Sequence, residues 1–244
     1  MDSQSPAQTA LSIPRSLFLF AILYGGMVPL GGFLGVKQVA LGPILEAIAN
    51  WLLSPFLQDP IELWPLGVEA GIFPFLTLVA LSSAIAELHG KDTANRMVRY
   101  GFVPLLLAIV LAFFVLQLPT DPGMYPPAKE AFPIIVGQSW RMMAAGIVAY
   151  GVSVTLNIWI FDKLRPKDGG TTSRWAGFRG FIAAALSQIV DTLIFITASF
   201  YGVRPILDLM LGQMLAKVVL SAVLVPLIIW AVVAISRRMD GKTS

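Results

Sequence analysis

Six stretches of this chain are apolar for long enough to cross a lipid bilayer, and that property narrows its folds more than any motif. They lie at roughly 16–36, 64–88, 98–118, 139–161, 176–201 and 209–235. A hydrocarbon core of about 30 Å needs about 20 helical residues to cross it. Backbone groups in lipid have no water to bond, so each segment must satisfy its own, which a helix does. The expected fold is all-α and polytopic, with about six transmembrane helices over residues 16–236. Composition points the same way, because 57% of the 244 residues are hydrophobic and 13% charged. Soluble domains carry about 25% charged residues, so the bilayer must cover most of this surface. The net charge of +3 is then a matter of loop placement, and no nucleic-acid partner is expected.

Residues 1–15 are polar, and Arg15 precedes a long apolar run with no small-residue cleavage site close behind it. This reads as a short cytoplasmic tail before a retained first span; residues 237–244 form the second tail. The stretch 41–58 is interrupted by Pro43 and Pro55 and carries Glu46 and Asn50. Ile44, Leu45, Ile48, Trp51 and Leu52 recur there at helical spacing, which predicts an amphipathic or re-entrant helix.

Lys and Arg are concentrated in alternate connections: Lys91, Arg96 and Arg99; then Lys163, Arg165, Lys167, Arg174 and Arg179; then Arg237, Arg238 and Lys242. The opposite connections hold fewer. The positive-inside rule puts both termini and the basic loops in the cytoplasm, with the chain in the cell's inner (plasma) membrane. The proline-rich connection Pro119–Gly137 is expected to be an irregular external loop. Gly169–Ser173 is expected to be a flexible cytoplasmic linker.

Charge is expensive inside a span, so ionisable residues there are the first functional candidates. Asp191 lies near the middle of the fifth run. Ser187 and Asp191 are four apart and share a helix face; Gln188 and Thr192 form a second such pair beside it. Gln213 and Lys217 repeat the spacing on the sixth run. The stripe suits a ligand with several donors and acceptors, although Ser, Thr and Gln also join helices to one another. A structural Asp191–Lys217 pair competes with a transport role, and the two are compatible where substrate breaks or bridges the pair. The fourth run adds Arg141, Tyr150, Ser153 and Asn157, and the second ends in Ser82, Ser83 and Glu87. Arg141 and Glu87 also suit interfacial anchors. Gly31 and Gly35 are spaced for close helix approach.

The chain has no cysteine and a single histidine, His89, so neither a thiolate nor an imidazole metal site is expected. It contains no G-x-x-x-x-G-K-[ST] loop to run on ATP by itself, no H-E-x-x-H and no G-x-S-x-G elbow with a histidine partner. No enzyme activity and no cofactor are expected.

The run Ser187-Gln188-x-x-Asp191-Thr192-x-x-Phe195, ending in Ala198-Ser199-Phe200-Tyr201-Gly202, resembles the signature of the queuosine precursor transporter family, also called the vitamin uptake transporter family. Phe73-Pro74, Glu87-x-His89-Gly90-Lys91, Arg141, Ala149-Tyr150, Phe161-x-x-Leu164-Arg165 and Gly212-Gln213 with Lys217 follow in the family's order. The likeness covers roughly residues 70–230. The chain departs from the pattern at Ser83 and Asn157, where carboxylates are usual, at Val154, where glutamine is usual, and at His89, where tyrosine is usual. Of the usual intramembrane carboxylates, Asp191 of the fifth span remains.

The resemblance implies a six-span importer of a 7-deazaguanine such as preQ0 or preQ1, or a related small nitrogen heterocycle. Asp191 would accept from the guanidine-like edge, Gln188 and Asn157 would complete the hydrogen bonds, and Tyr150 or Phe195 would stack on the ring. A second reading is a substrate-binding membrane subunit that works with a separate ATPase complex. The oligomeric state stays open, a homodimer included.

Overall fold

A computed structural model describes residues 13–55, 59, 62, 67–137, 140–165, 175–202 and 206–241. Six of its helices are long and apolar enough to cross a membrane: α1 (Arg15–Leu34), α3 (Ile72–His89), α4 (Lys91–Gln117), α6 (Trp140–Lys163), α7 (Ala176–Phe200) and α8 (Leu207–Met239). Between them lie two shorter helices, α2 (Gly42–Leu53) and α5 (Pro126–Val136), and two strands, β1 (Gln38–Ala40) and β2 (Gly67–Glu69). The tail 1–12, the linker Gly169–Ser173 and residues 242–244 fall outside the described residues. The fold is therefore the all-α, six-span architecture that the apolar runs predict.

Helix α3 is the hub. Its residues from Ile72 to Ala86 are mostly buried, because it packs against α1, α4, α6, α7 and α8. Helix α4 is the opposite case: Val103, Leu106, Leu107, Val110 and Leu111 are all more than half exposed. Such a surface is stable only against lipid or another apolar surface. A single residue, Gly90, separates α3 from α4, and its φ of 86° is the left-handed turn that glycine adopts without steric cost. Helix α8 has 33 residues, about 50 Å of helix at 1.5 Å per residue.

Two local expectations change. The second span begins at Ile72 rather than near residue 64, because residues 67–69 pair as a strand with β1, Gln38 facing Glu69. The proline-rich connection is not wholly irregular. Pro126 and Pro127 open α5, at positions whose N–H groups have no helical acceptor in any case. Residues 41–58 contain the 12-residue α2, about 18 Å long and too short to span. Its Ile44, Ile48, Trp51 and Leu52 are exposed, as an amphipathic helix lying on lipid requires.

Both described ends of the chain meet at one end of the bundle. Ser16 Oγ donates to Asp240 Oδ2 at 2.5 Å, Ser16 N–H donates to Asp240 Oδ1 at 3.2 Å, and Ser236 Oγ lies 3.1 Å from Ser16 Oγ. The Ser16 hydroxyl bond holds the Asp240 carboxyl below its usual range. The same end carries the ion pairs of Glu87 with Arg165 (3.3 Å) and with Arg179 (3.1 Å), and of Lys91 with Asp162 (3.9 Å).

Candidate substrate site

Helices α7 and α8 run antiparallel in a register fixed by three contacts. Trp230 packs over Gly177 and Ile229 over Gly180, and Lys217 Nζ lies 3.0 Å from Asp191 Oδ2. Glycine at 177 and 180 leaves room for those side chains at the helix interface. The same register puts Gln188 level with Ser221 and Phe195 level with Gln213. The two i,i+4 faces read from sequence therefore belong to one interface.

Asp191 is buried and both its oxygens are engaged. Lys217 donates to Oδ2, and Ser153 Oγ of α6 lies 3.1 Å from Oδ1. Two opposite charges this close stabilise each other strongly away from water, and removing either strands the other. The pair lines a cavity of about 220 Å³ together with Tyr150, Phe195, Phe75 and Glu69. Its other walls come from α1, α3, α4, α5 and α6, including Gly31 and Gly35 at the end of α1 and Ile72 at the start of α3. The cavity thus reaches from the ion pair towards the bundle end opposite the chain termini.

Tyr150 forms part of this wall. Its hydroxyl donates to the Tyr24 hydroxyl at 2.8 Å in a buried position. Phe75 and Phe102 pack edge-on against its ring, with centroids 6.0 and 5.3 Å away. Both ring and hydroxyl are held in place before any ligand arrives.

The remaining expected residues, Arg141 apart, divide into three groups. Ser187 and Thr192 are buried on α7, and their hydroxyls donate to carbonyls of their own helix, those of Ala184 and Gln188, at 2.9 Å each. Gln188 is fully buried, and neither its amide oxygen nor its nitrogen has a hydrogen-bond partner among the described residues; the same holds for the Gln213 oxygen. Both lie behind the cavity wall rather than on it.

Asn157 and Glu87 sit towards the terminus-bearing end. Asn157 Nδ2 donates to Ser83 Oγ at 2.9 Å and lies 3.2 Å from the Val79 carbonyl and 3.3 Å from Ser82 Oγ. Glu87 accepts from Arg165 and Arg179, and Arg179 also donates to the Phe161 carbonyl at 3.0 Å and stacks over the Phe161 ring at 4.2 Å. Neither residue lines the cavity. Arg141 lies in the first turn of α6, and its side chain lies outside the described residues.

Sequence reasoning missed Glu69. It lies inside the apolar run drawn from residue 64, where a carboxylate is as anomalous as Asp191, and that anomaly was the available signal. Strand β2 packs against α8, and Ala70 N–H donates to the Lys37 carbonyl at 2.7 Å. Gly71 presses so closely on α1 that a Cβ there would meet the Gly31 carbonyl oxygen at 2.5 Å. These contacts hold Glu69 against the cavity.

Comparison with known proteins gives two matches. Residues 69–231 match the family described as "Putative vitamin uptake transporter". Over 174 residues the chain is 26% identical to the "Probable queuosine precursor transporter" of Bacillus subtilis (strain 168), covering 68% of this chain and 72% of that relative. No solved structure matches.

Proposed function

The chain belongs to the vitamin uptake transporter family, and from that membership we propose that it imports a queuosine precursor, a 7-deazaguanine such as preQ0 or preQ1, or a related small nitrogen heterocycle. It is a multi-pass membrane transporter and not an enzyme. The observation that carries the substrate reading is the aromatic-walled cavity ending on the Asp191–Lys217 pair.

A 7-deazaguanine offers a ring N–H and an exocyclic amine along one edge and a carbonyl beside them. Asp191 accepts from the two donors, and Lys217 donates to the carbonyl. Both Asp191 oxygens are already engaged, so the ligand must insert between the partners. Substrate therefore bridges the pair, which avoids leaving a buried charge unmatched. Tyr150 and Phe195 stack on the ring. Gln188, whose amide nitrogen and oxygen lack partners among the described residues, and Gln213, whose amide oxygen also lacks one, complete the hydrogen bonds when α7 and α8 shift.

With both termini in the cytoplasm of a cell whose inner membrane holds the chain, the cavity opens outwards. Ser187 and Thr192 then support α7, while Asn157 with Ser82 and Ser83 forms the floor. Glu87 with Arg165 and Arg179 closes the cytoplasmic end.

Uptake in cells unable to make queuosine precursors tests this reading. With the chain expressed, supplying preQ0 or preQ1 should restore queuosine in tRNA; failure with preQ0, preQ1 and queuine would overturn the substrate class. Liposomes holding the purified chain alone should accumulate the base. Tight binding without flux would instead identify a subunit that needs a separate ATPase complex.

A further inference from the structure

Helix α4 carries an exposed face that is apolar along most of its length and basic at one end. Val103, Leu106, Leu107 and Val110 are each more than half exposed. Tyr100 and Arg99 stand three and four residues before Val103 on the same face, and Arg96 lies one turn earlier; all three are exposed. Side chains at this spacing are neighbours on a helix surface, and Arg96, Arg99 and Tyr100 line a cleft of their own. Among the described residues neither arginine has an ion-pair partner, although Asp92 lies four positions before Arg96.

We propose that Arg96, Arg99 and Tyr100 bind the headgroup phosphate of an anionic phospholipid whose acyl chains lie along Val103, Leu106, Leu107 and Val110. Two guanidinium groups three residues apart repel each other. A phosphate between them replaces that repulsion with charge-assisted, bidentate hydrogen bonds. A zwitterionic headgroup brings its own ammonium and meets two cations less favourably. Tyr100 adds a hydroxyl at the depth where tyrosines gather at membrane interfaces. From Arg99 to Val110 the helix rises about 16 Å, close to half the thickness of a hydrocarbon layer of about 30 Å. The arginines therefore stand at headgroup depth while the apolar stripe runs through one leaflet.

A soluble phosphate would leave the apolar stripe unused, so cleft and stripe together specify a lipid. The site belongs to the terminus-bearing end of the bundle, where Lys91 at the start of the same helix pairs with Asp162 at 3.9 Å. On its other face α4 presents Leu105, Ala108 and Ile109 to the substrate cavity, so a lipid held here lies behind that wall. The site is separate from the Asp191–Lys217 pair and does not depend on which base the chain carries.

Dioleoyl phosphatidylglycerol and dioleoyl phosphatidylcholine share acyl chains and differ in net charge, and the purified full chain in neutral detergent can be offered both. Native mass spectrometry should show phosphatidylglycerol retained with a preference of about tenfold, as two basic side chains near a lipid surface dictate. Arg96→Gln/Arg99→Gln should lose that preference. Arg237→Gln/Arg238→Gln, which removes an exposed basic pair from the end of α8, should keep it. Inorganic phosphate at millimolar concentration should not displace the lipid. Equal retention of both lipids, a preference that survives Arg96→Gln/Arg99→Gln, or one lost as fully in Arg237→Gln/Arg238→Gln would overturn the site. Displacement by inorganic phosphate would overturn the lipid as its occupant.

Discussion

Lys217 Nζ lies 3.0 Å from Asp191 Oδ2, and both side chains are buried between α7 and α8. The pair both holds two spans together and forms the polar end of the cavity. Separating these roles is the first experimental task.

Asp191→Asn alone and Lys217→Met alone should each destabilise the protein by about 3–5 kcal/mol, because each strands the partner's charge. The double variant should recover most of that loss in a detergent melting curve, since neither charge of the pair is then left buried alone. Uptake should stay absent in all three. Recovered uptake in the double variant would show that the pair is structural only.

Tyr150→Phe keeps the ring that Phe75 and Phe102 brace but leaves the buried Tyr24 hydroxyl without its partner. A cost of about 1–2 kcal/mol in stability is expected. Uptake should fall only a few-fold, whereas Tyr150→Ala, which removes the wall, should lose it by more than about tenfold, as lost stacking and packing dictate. The comparison of initial rates distinguishes a stacking role from a hydrogen-bonding one.

Gly71→Ala puts a methyl group against the Gly31 carbonyl oxygen, so backbone must move. Overpacking of this kind costs about 1–3 kcal/mol. The displacement falls between β2 and α1, beside the cavity, so substrate affinity should drop along with the melting temperature.

Arg179 ties Glu87 to the Phe161 carbonyl at the terminus-bearing end. The chain has no cysteine, so one cysteine introduced at the buried position Ser83 reports access from that end without background. With the terminus-bearing end on the cytoplasmic side, as proposed, Arg179→Ala in inverted vesicles should increase labelling by an impermeant thiol reagent about tenfold, equivalent to a shift of about 1.4 kcal/mol towards the open form. Unchanged labelling would show that the cluster does not close that end.

The tie between Ser16 and Asp240 gives a pH signature. The hydroxyl bond lowers the Asp240 pKa relative to the unfolded chain. Its stabilising effect is complete above the ordinary carboxylate value and disappears as pH falls through the lowered folded value. Ser16→Ala should therefore melt about 2 °C below the native protein at pH 7. The difference should vanish in acid.

Span number and the two charged faces were legible in the sequence because both rest on hydrophobic length and helical spacing. Rotation of the spans was not. In water an amphipathic stripe identifies the buried face, but a lipid-facing leucine on α4 is as apolar as a core leucine on α3. Hydropathy could not foresee that Leu106 is exposed and Leu78 buried. Nor could helical spacing show that the Asn157 amide bonds to the serines of α3. Glu69 was hidden for a different reason: a three-residue strand was absorbed into an apolar run. Strand pairing with residues thirty positions away carries no local signature.

The length of α8 has a mechanical consequence. A helix of about 50 Å exceeds a hydrocarbon layer of about 30 Å and must tilt or protrude to fit. Its last turn is tied to Ser16 through Ser236 and Asp240, so any change of tilt is taken up farther along, where Lys217 reaches across to Asp191. Bilayer thickness thus acts as a lever on the polar heart of the carrier, and transport rate should change with acyl-chain length even when every side chain is left intact.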